Sequence, residues 1–265
     1  MTIPDFRRGA DGGRPIITPD GMFGHLASVT GSDPATLAVP PVLLVSWSRA
    51  FFKRLSVGVN ASDWDRWWYG DRIPLRRGKR DGVEVAVLLA PIGSPGTVMI
   101  VEELIAAGAR VVVGIGDAGG LQPSVPAGSC VIPDRALRDE GTSLHYVDED
   151  VEARPDPEVA EKLAAGLAAA GIEPARGLIW TTDAPYRELS GTVTRLRGDG
   201  VVAVDMEAAA LFVVAACRGV AAASVMVVAD VLDDPWTPNF GHDGLAGARR
   251  SVSDAVAAIA PRLLA

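Results

Sequence analysis

The fold is decided by residues 83–115, which read VEVAVLLAPIGSPGTVMIVEELIAAGARVVVGI. Val83 to Ala90 and Arg110 to Ile115 are short apolar runs typical of buried strands. Between them, Ile92 to Gly96 turns the chain into a predicted helix over Thr97 to Gly108, whose closing glycine is a common helix stop. A strand, a helix and a second apolar strand in this order predict two parallel strands joined by a crossover.

The same alternation continues on both sides of this unit. We predict further strands at 42–46, 129–133, 177–181, 201–204 and 223–229, and helices at 49–55, 157–170, 207–218 and 245–264. Apolar strands alternating with helices predict a single three-layer α/β/α domain, in which a mostly parallel or mixed sheet lies between helical layers. This domain is expected to span residues 41–265, preceded by an irregular leader over residues 1–40 that is rich in Gly, Pro and Asp.

Composition narrows the class of protein. A net charge of −8 argues against a nucleic-acid partner, because such proteins cluster Lys and Arg to displace counterions. The N-terminal residues contain no secretory apolar run, and no stretch reaches the roughly 18 apolar residues of a membrane span, so we expect a cytoplasmic protein without a membrane partner. Cys130 and Cys217 lie in no CxxC or Cys/His cluster, which predicts neither a disulfide framework nor a metal site.

A segment rich in tryptophan lies between the first two predicted strands. It contains Trp64, Trp67, Trp68 and Tyr69, and a basic cluster follows at residues 76–80. We interpret this segment as a packed loop ending in a solvated turn. A binding patch is the alternative.

The segment Gly114 to Gly119 matches the dinucleotide fingerprint GxGxxG and follows a strand. In a dinucleotide-binding fold this turn leads straight into a helix whose N-terminus holds the pyrophosphate. Here Pro123 and Pro126 stand where that helix would propagate. The sequence therefore argues against a nicotinamide cofactor.

Polar residues follow several predicted strands, at the positions where open α/β sheets bind ligands. Glu207 stands at a strand-to-helix junction, where its carboxylate suits a vicinal diol or, without any ligand, the helix macrodipole. Asp230 follows the strand Ala223 to Ala229, where partial burial favours its protonated form, although a turn cap explains it equally. A third group lies at residues 141–146, joined by residues 182–187.

Together these segments resemble the nucleoside phosphorylase superfamily, especially its uridine phosphorylase-like branch, from about Ile92 to the C-terminus. The resemblance rests on EELIAAGA at 102–109, Gly119-Gly120, EGTSLHY at 140–146, DMEAAALF at 205–212, Arg218-Gly219 and VVAD at 227–230. It implies the three-layer α/β/α fold of that family and a homo-oligomer, either a dimer, a trimer or a hexamer. It also implies a nucleoside as the small-molecule partner and no cofactor besides a phosphate or water co-substrate.

The resemblance also implies roles for individual residues. Met206 and Glu207 would hold the ribose, and Asp230 would be the catalytic acid that protonates a purine leaving group. Predicted neighbours of the base or sugar are Thr142, His145, Tyr146 and Tyr186. The chemistry is cleavage of an N-glycosidic bond, in which a well-placed general acid contributes about 10²- to 10⁴-fold.

The chain departs from the family pattern at the phosphate ligands. Phosphorylases of the superfamily use an arginine and a Thr or Ser at positions that match Gly114 and Asp117 here, and the usual Gly-Asp-Pro segment with its arginine is not recognisable in residues 1–40. Losing the cation removes a charge-assisted donor, and the Asp117 carboxylate would repel a phosphate dianion. The loop containing Gly114, Gly116 and Gly119 is thus predicted to hold either phosphate or water.

Two modes of cleavage stay open on these residues. In hydrolysis, Asp117 would act catalytically by orienting or deprotonating the water. In phosphorolysis, Arg49, Arg54 or an arginine of a neighbouring subunit would rebuild the anion site. The uracil-reading Gln and Arg of uridine phosphorylases have no counterparts after Tyr186, which favours a purine, whereas residues 142–146 favour the uridine branch. A nucleoside-binding protein that has lost activity is the alternative from another class.

Overall fold

The computed structural model describes residues 13–264. Its strands are β1 (Val42–Ser46), β2 (Ser62–Asp63), β3 (Leu75–Arg80), β4 (Val83–Leu89), β5 (Val111–Gly120), β6 (Cys130–Asp139), β7 (Ala175–Thr182), β8 (Ala203–Asp205), β9 (Ala221–Val231) and β10 (Thr237–Pro238). Its helices are α1 (Pro19–Thr30), α2 (Arg49–Gly58), α3 (Ser94–Ala106), α4 (Pro157–Ala169), α5 (Ser190–Gly198), α6 (Ala208–Cys217) and α7 (Asp243–Ile259).

All ten strands belong to one mixed sheet with the order β10-β9-β6-β7-β8-β5-β1-β4-β3-β2. The predicted crossover is confirmed, because β1 lies between β4 and β5 and is parallel to both. A further parallel pairing of β5 with β9 closes β5, β9, β6, β7 and β8 into a ring. Strand β5 therefore has β8 on one side and β9 on the other at its carboxyl end.

Helices cover both faces of the sheet, which confirms the predicted α/β/α layering. One core cluster contains residues of α3 and α6 with Leu43 and Val45 of β1. The other contains residues of α2, α4 and α7 with Val42 and Leu44. Alternate residues of this buried strand thus point to opposite helical layers, as the pleat of a strand requires.

The N-terminal region is more ordered than the prediction of an irregular leader over residues 1–40. Residues 1–12 lie outside the described residues, but Pro19–Thr30 forms α1, which packs on α3. The Thr18 side chain accepts the N–H of Gly21, Pro19 occupies the first turn, and Gly31 ends the helix at φ 61°. These capping residues explain the helix, since each satisfies or tolerates a helix end.

The tryptophan-rich segment at 64–69 is the packed loop that the sequence predicts, but the basic cluster that follows it is not a solvated turn. The basic cluster forms strand β3, paired antiparallel with β4, rather than a turn. The indole of Trp68 and the hydroxyl of Tyr69 each donate a 2.9 Å hydrogen bond to the buried carboxylate of Glu103 on α3. This segment therefore fastens the end of the sheet to α3, and its tryptophans do not line the cleft described below.

Strand β5 is longer than predicted and runs straight through the glycine segment to Gly120. Its glycines are thus strand residues, and the chain continues into β6 without the helix that a dinucleotide site needs. Helix α5 was not predicted. Within residues 13–264, no helix has the length and apolar character needed to cross a bilayer.

Candidate active site

A cleft of about 790 Å³ opens at the carboxyl ends of β5, β8 and β9, beside α5. The predicted residues that line it are Asp117, Gly119, Tyr186, Met206, Glu207 and Asp230. Gly119 lies at the centre, paired with Val204 of β8 and with Asp230 of β9. A Cβ atom at Gly119 would lie 2.9 Å from Cγ1 of Val204. Because glycine lacks this atom, the Val204 side chain can pack against β5 at this position.

Glu207 is placed by the junction between β8 and α6. It is only 5% exposed, and its Oε1 accepts the N–H of Gly93 at 2.6 Å. Helix α6 is capped instead by Asp205, whose Oδ2 accepts the N–H groups of Glu207 at 3.1 Å and Ala208 at 2.7 Å. Because Asp205 satisfies the helix N-terminus, the macrodipole does not account for the Glu207 carboxylate. The Glu207 side chain lines the cleft.

Burial controls the protonation of this pair. Desolvation, followed by repulsion from Asp205, raises the pKa of Glu207. Desolvation also raises the pKa of Asp205, opposed by hydrogen bonds from Thr181, Ala208 and Glu207. The hydroxyl of Thr181 donates to Oδ1 of Asp205 at 2.6 Å. At a given pH, Asp205 and Glu207 together therefore carry less negative charge than two solvent-exposed carboxyl groups would.

Asp230 lies on the opposite wall, half-buried at the end of β9. Its Oδ2 accepts the indole N–H of Trp236 at 2.7 Å. Desolvation raises the pKa of Asp230; the Trp236 hydrogen bond lowers it, and the charge of Asp117 adds to the rise. Asp230 thus has the partial burial that favours a proton donor, as the sequence predicts.

Asp117 is engaged in an ion pair. Nε and Nη2 of Arg249, on α7, donate to Oδ1 and Oδ2 of Asp117 at 2.8 and 2.7 Å. Burial raises the pKa of Asp117, and the guanidinium opposes that rise. A carboxylate held on both oxygens by a guanidinium is a weak base, so this geometry gives no support to Asp117 as the group that deprotonates water.

Gly114 and Gly116 lie beneath an indole ring. A Cβ atom at Gly114 would be 2.8 Å from Cη2 of Trp47, and one at Gly116 would be 2.7 Å from Cε3 of the same ring. The Trp47 N–H donates to Oγ1 of Thr97 at 2.7 Å, which fixes the ring over the strand. Trp47 thus covers Gly114, the position at which the family that this chain resembles carries its phosphate-binding arginine.

Three predicted binding residues lie away from the cleft. Thr142 precedes a short 3-10 turn that ends at His145, and the Tyr146 hydroxyl donates to Oε2 of Glu102 on α3 at 2.9 Å. Glu102 also accepts from Nε of Arg218 at 2.6 Å. The structure does not bring Thr142, His145 or Tyr146 together with Glu207 and Asp230 in the described part of the chain.

Several residues of the cleft were missed from sequence. They include Trp47, Glu188, Trp236 and Phe240, together with the ion-pair partner Arg249. Desolvation, with a contribution from the Asp230 charge, raises the pKa of Glu188 to about 7. Trp47 follows the predicted strand β1, so the parallel pairing of β1 with β5 was the signal that could have found it. Within residues 13–264, no three His, Cys, Asp or Glu side chains are grouped to hold a metal ion.

Comparison with known proteins identifies a family and relatives for this chain. The family model described as the phosphorylase superfamily matches residues 65–265. Uridine phosphorylase of Thermococcus kodakarensis is 33% identical over 196 residues, which cover 69% of this chain and 70% of that protein. Guanosine phosphorylase of Halorubrum lacusprofundi is 28% identical over 188 residues, which cover 68% of this chain and 78% of that protein.

The fold has a solved counterpart. A crystal structure of uridine phosphorylase from Vibrio fischeri ES114 superposes with a TM-score of 0.73 at 20% sequence identity. The superposition covers 84% of this chain and 93% of that one. The family match over residues 65–265 and the similar relatives agree: this chain belongs to the phosphorylase superfamily and is an enzyme of the nucleoside phosphorylase type.

Proposed function

We propose that this enzyme cleaves the N-glycosidic bond of a nucleoside with a purine-type base, and that water is the acceptor. The observation that carries the proposal is the pair Glu207 and Asp230, which line one cleft from the two strands that flank β5. They approach the cleft from opposite sides of β5, as binding of a sugar at one end and a base at the other requires.

Each carboxyl has a task in this reaction. As the bond between C1′ and the base nitrogen breaks, positive charge develops on the sugar and negative charge on the base. Glu207, held by the N–H of Gly93, accepts hydrogen bonds from the ribose hydroxyls, with Met206 beside it. Asp230, whose pKa is raised by burial, donates a proton to the leaving purine.

Water is favoured as the acceptor because the loop at Gly114 to Asp117, where the related phosphorylases bind phosphate, is closed here. Trp47 covers Gly114 and Gly116, while Arg249 is occupied by Asp117. Arg54 is paired with Asp254, with Nε 2.6 Å from Oδ1. Phosphorolysis is the second candidate, because the named relatives are phosphorylases. It would require phosphate to displace the Asp117 carboxylate from Arg249.

A purine is favoured over a pyrimidine for two reasons. Asp230 lines the cleft with a raised pKa, as protonation of a purine requires, and one relative is a guanosine phosphorylase. The residues that lean toward the uridine branch, Thr142 to Tyr146, lie away from the cleft. The proposal retains the expected homo-oligomer, either a dimer, a trimer or a hexamer.

The test is release of base from a panel of purine and pyrimidine nucleosides, with and without phosphate, while the sugar product is identified. The expected result is free sugar from purine nucleosides at a rate independent of phosphate. Sugar 1-phosphate that appears only with phosphate would overturn the hydrolytic assignment. Binding without release from any nucleoside would identify the inactive nucleoside-binding protein.

A further inference from the structure

The carboxyl groups of the cleft wall outnumber its cationic side chains. Its acidic residues are Asp117, Glu188, Asp205, Glu207, Asp230, Asp233 and Asp234, whereas Arg197 is the one cationic side chain among the described residues that line it. Asp117 is neutralised by Arg249 on α7, so the excess lies with the other carboxyl groups. Arg197 is already engaged: Nε donates to the Leu121 carbonyl at 2.5 Å, and Nη2 lies 3.1 Å from Oδ1 of Asp233. The cleft wall therefore offers no unpaired cation to an anionic ligand, and repulsion disfavours phosphorylated nucleosides.

The excess charge is concentrated at the base end. Glu188 has no side-chain hydrogen bond or ion pair with any residue that the structure describes between 13 and 264, although it is half-buried. Its charge and that of Asp230 repel each other. Two carboxyls in this situation are stabilised either by a proton or by a cation placed between them.

Aromatic rings stand beside these carboxyls. Trp236, which donates to Asp230, is 57% exposed, and Phe240, with its ring centroid 6.4 Å from that of Trp236, is 55% exposed. Tyr186 is 99% exposed on the other rim of the cleft. Such rings stack on a planar base, and their negative faces attract a positively charged one.

We propose that the base end of this cleft recognises a nucleoside whose heteroaromatic base carries a positive charge, and that Glu188 is the residue that selects it. The proposal rests on the glycosidic cleavage proposed above and extends its substrates from a neutral purine nucleoside to one whose base is already cationic. Glu188 and Asp230 supply the opposite charge, and Trp236 and Phe240 supply the stacking surface. Glu188 recognises the charge of the base, whereas Glu207 binds the sugar.

The reaction balances without a further reactant. The oxygen of water forms a bond to C1′, the C1′–N bond breaks, and its electron pair neutralises the cationic base. One water proton leaves to solvent, so the products are free sugar, neutral base and a proton. A cationic base leaves without being protonated, and Asp230 serves this substrate as a carboxylate.

The test uses a matched pair of ligands, nicotinamide riboside and its uncharged reduced form, dihydronicotinamide riboside. Calorimetry measures the Kd of each for the full-length enzyme, and base release is followed in parallel. We expect the cation to bind about tenfold more tightly at low salt, as cation–π contact and opposite charge together predict. Equal Kd values would overturn the proposal.

Variants assign the effect to Glu188. In Glu188→Gln the ratio of the two Kd values should fall several-fold, whereas Glu173→Gln, which removes the same charge from an exposed residue outside the cleft, should leave it unchanged. A ratio that persists in Glu188→Gln would remove Glu188 from its assigned role. Because Kd is measured apart from turnover, absence of base release refutes the proposed glycosidic cleavage and not the preference for a cation.

Discussion

Two regions of the cleft, the sugar end at Glu207 and the loop end at Gly114 to Asp117, differ in how their polar groups are satisfied. At the sugar end, Asp205 satisfies the helix N-terminus and Glu207 lines the cleft. At the loop end, Trp47 fills the space above Gly114, and Asp117 and Arg249 neutralise each other. The residues that match the family motif at 205–207 therefore line the cleft, whereas the loop that lacks the family's phosphate ligands is closed by packing and by an ion pair. This difference teaches that two segments of one cleft can depart from a family pattern independently.

The largest expected effect comes from Asp230, the acid at the base end of the cleft. Asp230→Asn should lower turnover of a neutral purine nucleoside by about 10²- to 10⁴-fold, because the amide cannot donate the required proton. Steady-state kinetics with direct measurement of Kd checks this, since affinity should change far less than turnover. Asp199→Asn, at the exposed end of α5, is the control. Unchanged turnover in Asp230→Asn would remove Asp230 from the chemistry.

Glu207→Gln should weaken recognition of the sugar while stabilising the folded state. Loss of the Glu207 carboxyl group as the acceptor for the ribose hydroxyls should lower kcat/KM by roughly 10- to 100-fold. The pKa of Glu207 is raised above its ordinary 4.5, so the folded state binds more protons than the unfolded state, and the wild type loses stability as pH rises. Urea unfolding should therefore show Glu207→Gln gaining stability over the wild type with rising pH. A constant difference would contradict the assigned burial of charge.

The loop end can be tested through its packing. Gly116→Ala should cost about 1–3 kcal/mol, because the three atoms nearest the added Cβ all belong to Trp47. In a Trp47→Ala background most of that cost should disappear, which a double-mutant cycle measures by denaturant unfolding. Gly114→Ala is the matched control, since Oγ of Ser224 would still lie 2.8 Å from its Cβ. Additive costs for Trp47→Ala and Gly116→Ala would show that the ring is not seated on β5.

The smallest expected effect is a pH dependence at the base end. The pKa of Glu188 is raised to about 7, so the preference for a cationic nucleoside should grow several-fold as pH rises through about 7 and fade below it. Glu188→Gln should flatten this profile, which Kd measurements across pH would reveal. The other titratable or charged groups of the cleft are Asp230, Asp205, Glu207, Asp234, the Arg197–Asp233 pair and Asp117 with Arg249. A profile that survives in Glu188→Gln would place the titration on another carboxyl group of the cleft and contradict the assignment to Glu188.

Sequence patterns predicted the parts of this molecule that depend on local order. The strands flanking α3 and the carboxylates after β8 and β9 follow from apolar runs and from the rule that ligands bind at carboxyl ends of strands. Helix α1 was missed because a leader rich in Gly and Pro hides its capping residues, and β3 because charged residues favour a turn in isolation. Strand pairing with β4 overrides that local preference.

The rest of the site depends on contacts between distant segments. Arg249 reaches Asp117 across 132 residues of sequence, and Trp47 meets Gly116 only because β1 pairs with β5. Tyr146 matches a family motif, but its hydroxyl binds Glu102 on α3. A sequence motif shows which residue types are present. The packing of distant helices and strands determines which of those residues face a ligand.

The ends of the sheet also bear on how copies of this chain meet. An unpaired strand is a template onto which another chain can add by backbone hydrogen bonding. Here the terminal strands β2 and β10 are two residues long each, and Pro238 lacks a backbone donor. Behind β2, the strand β3 carries Lys79 and Arg80, whose charge opposes such pairing. These short strand edges therefore offer little backbone for another chain to pair with, and we expect them to resist fibre-like aggregation.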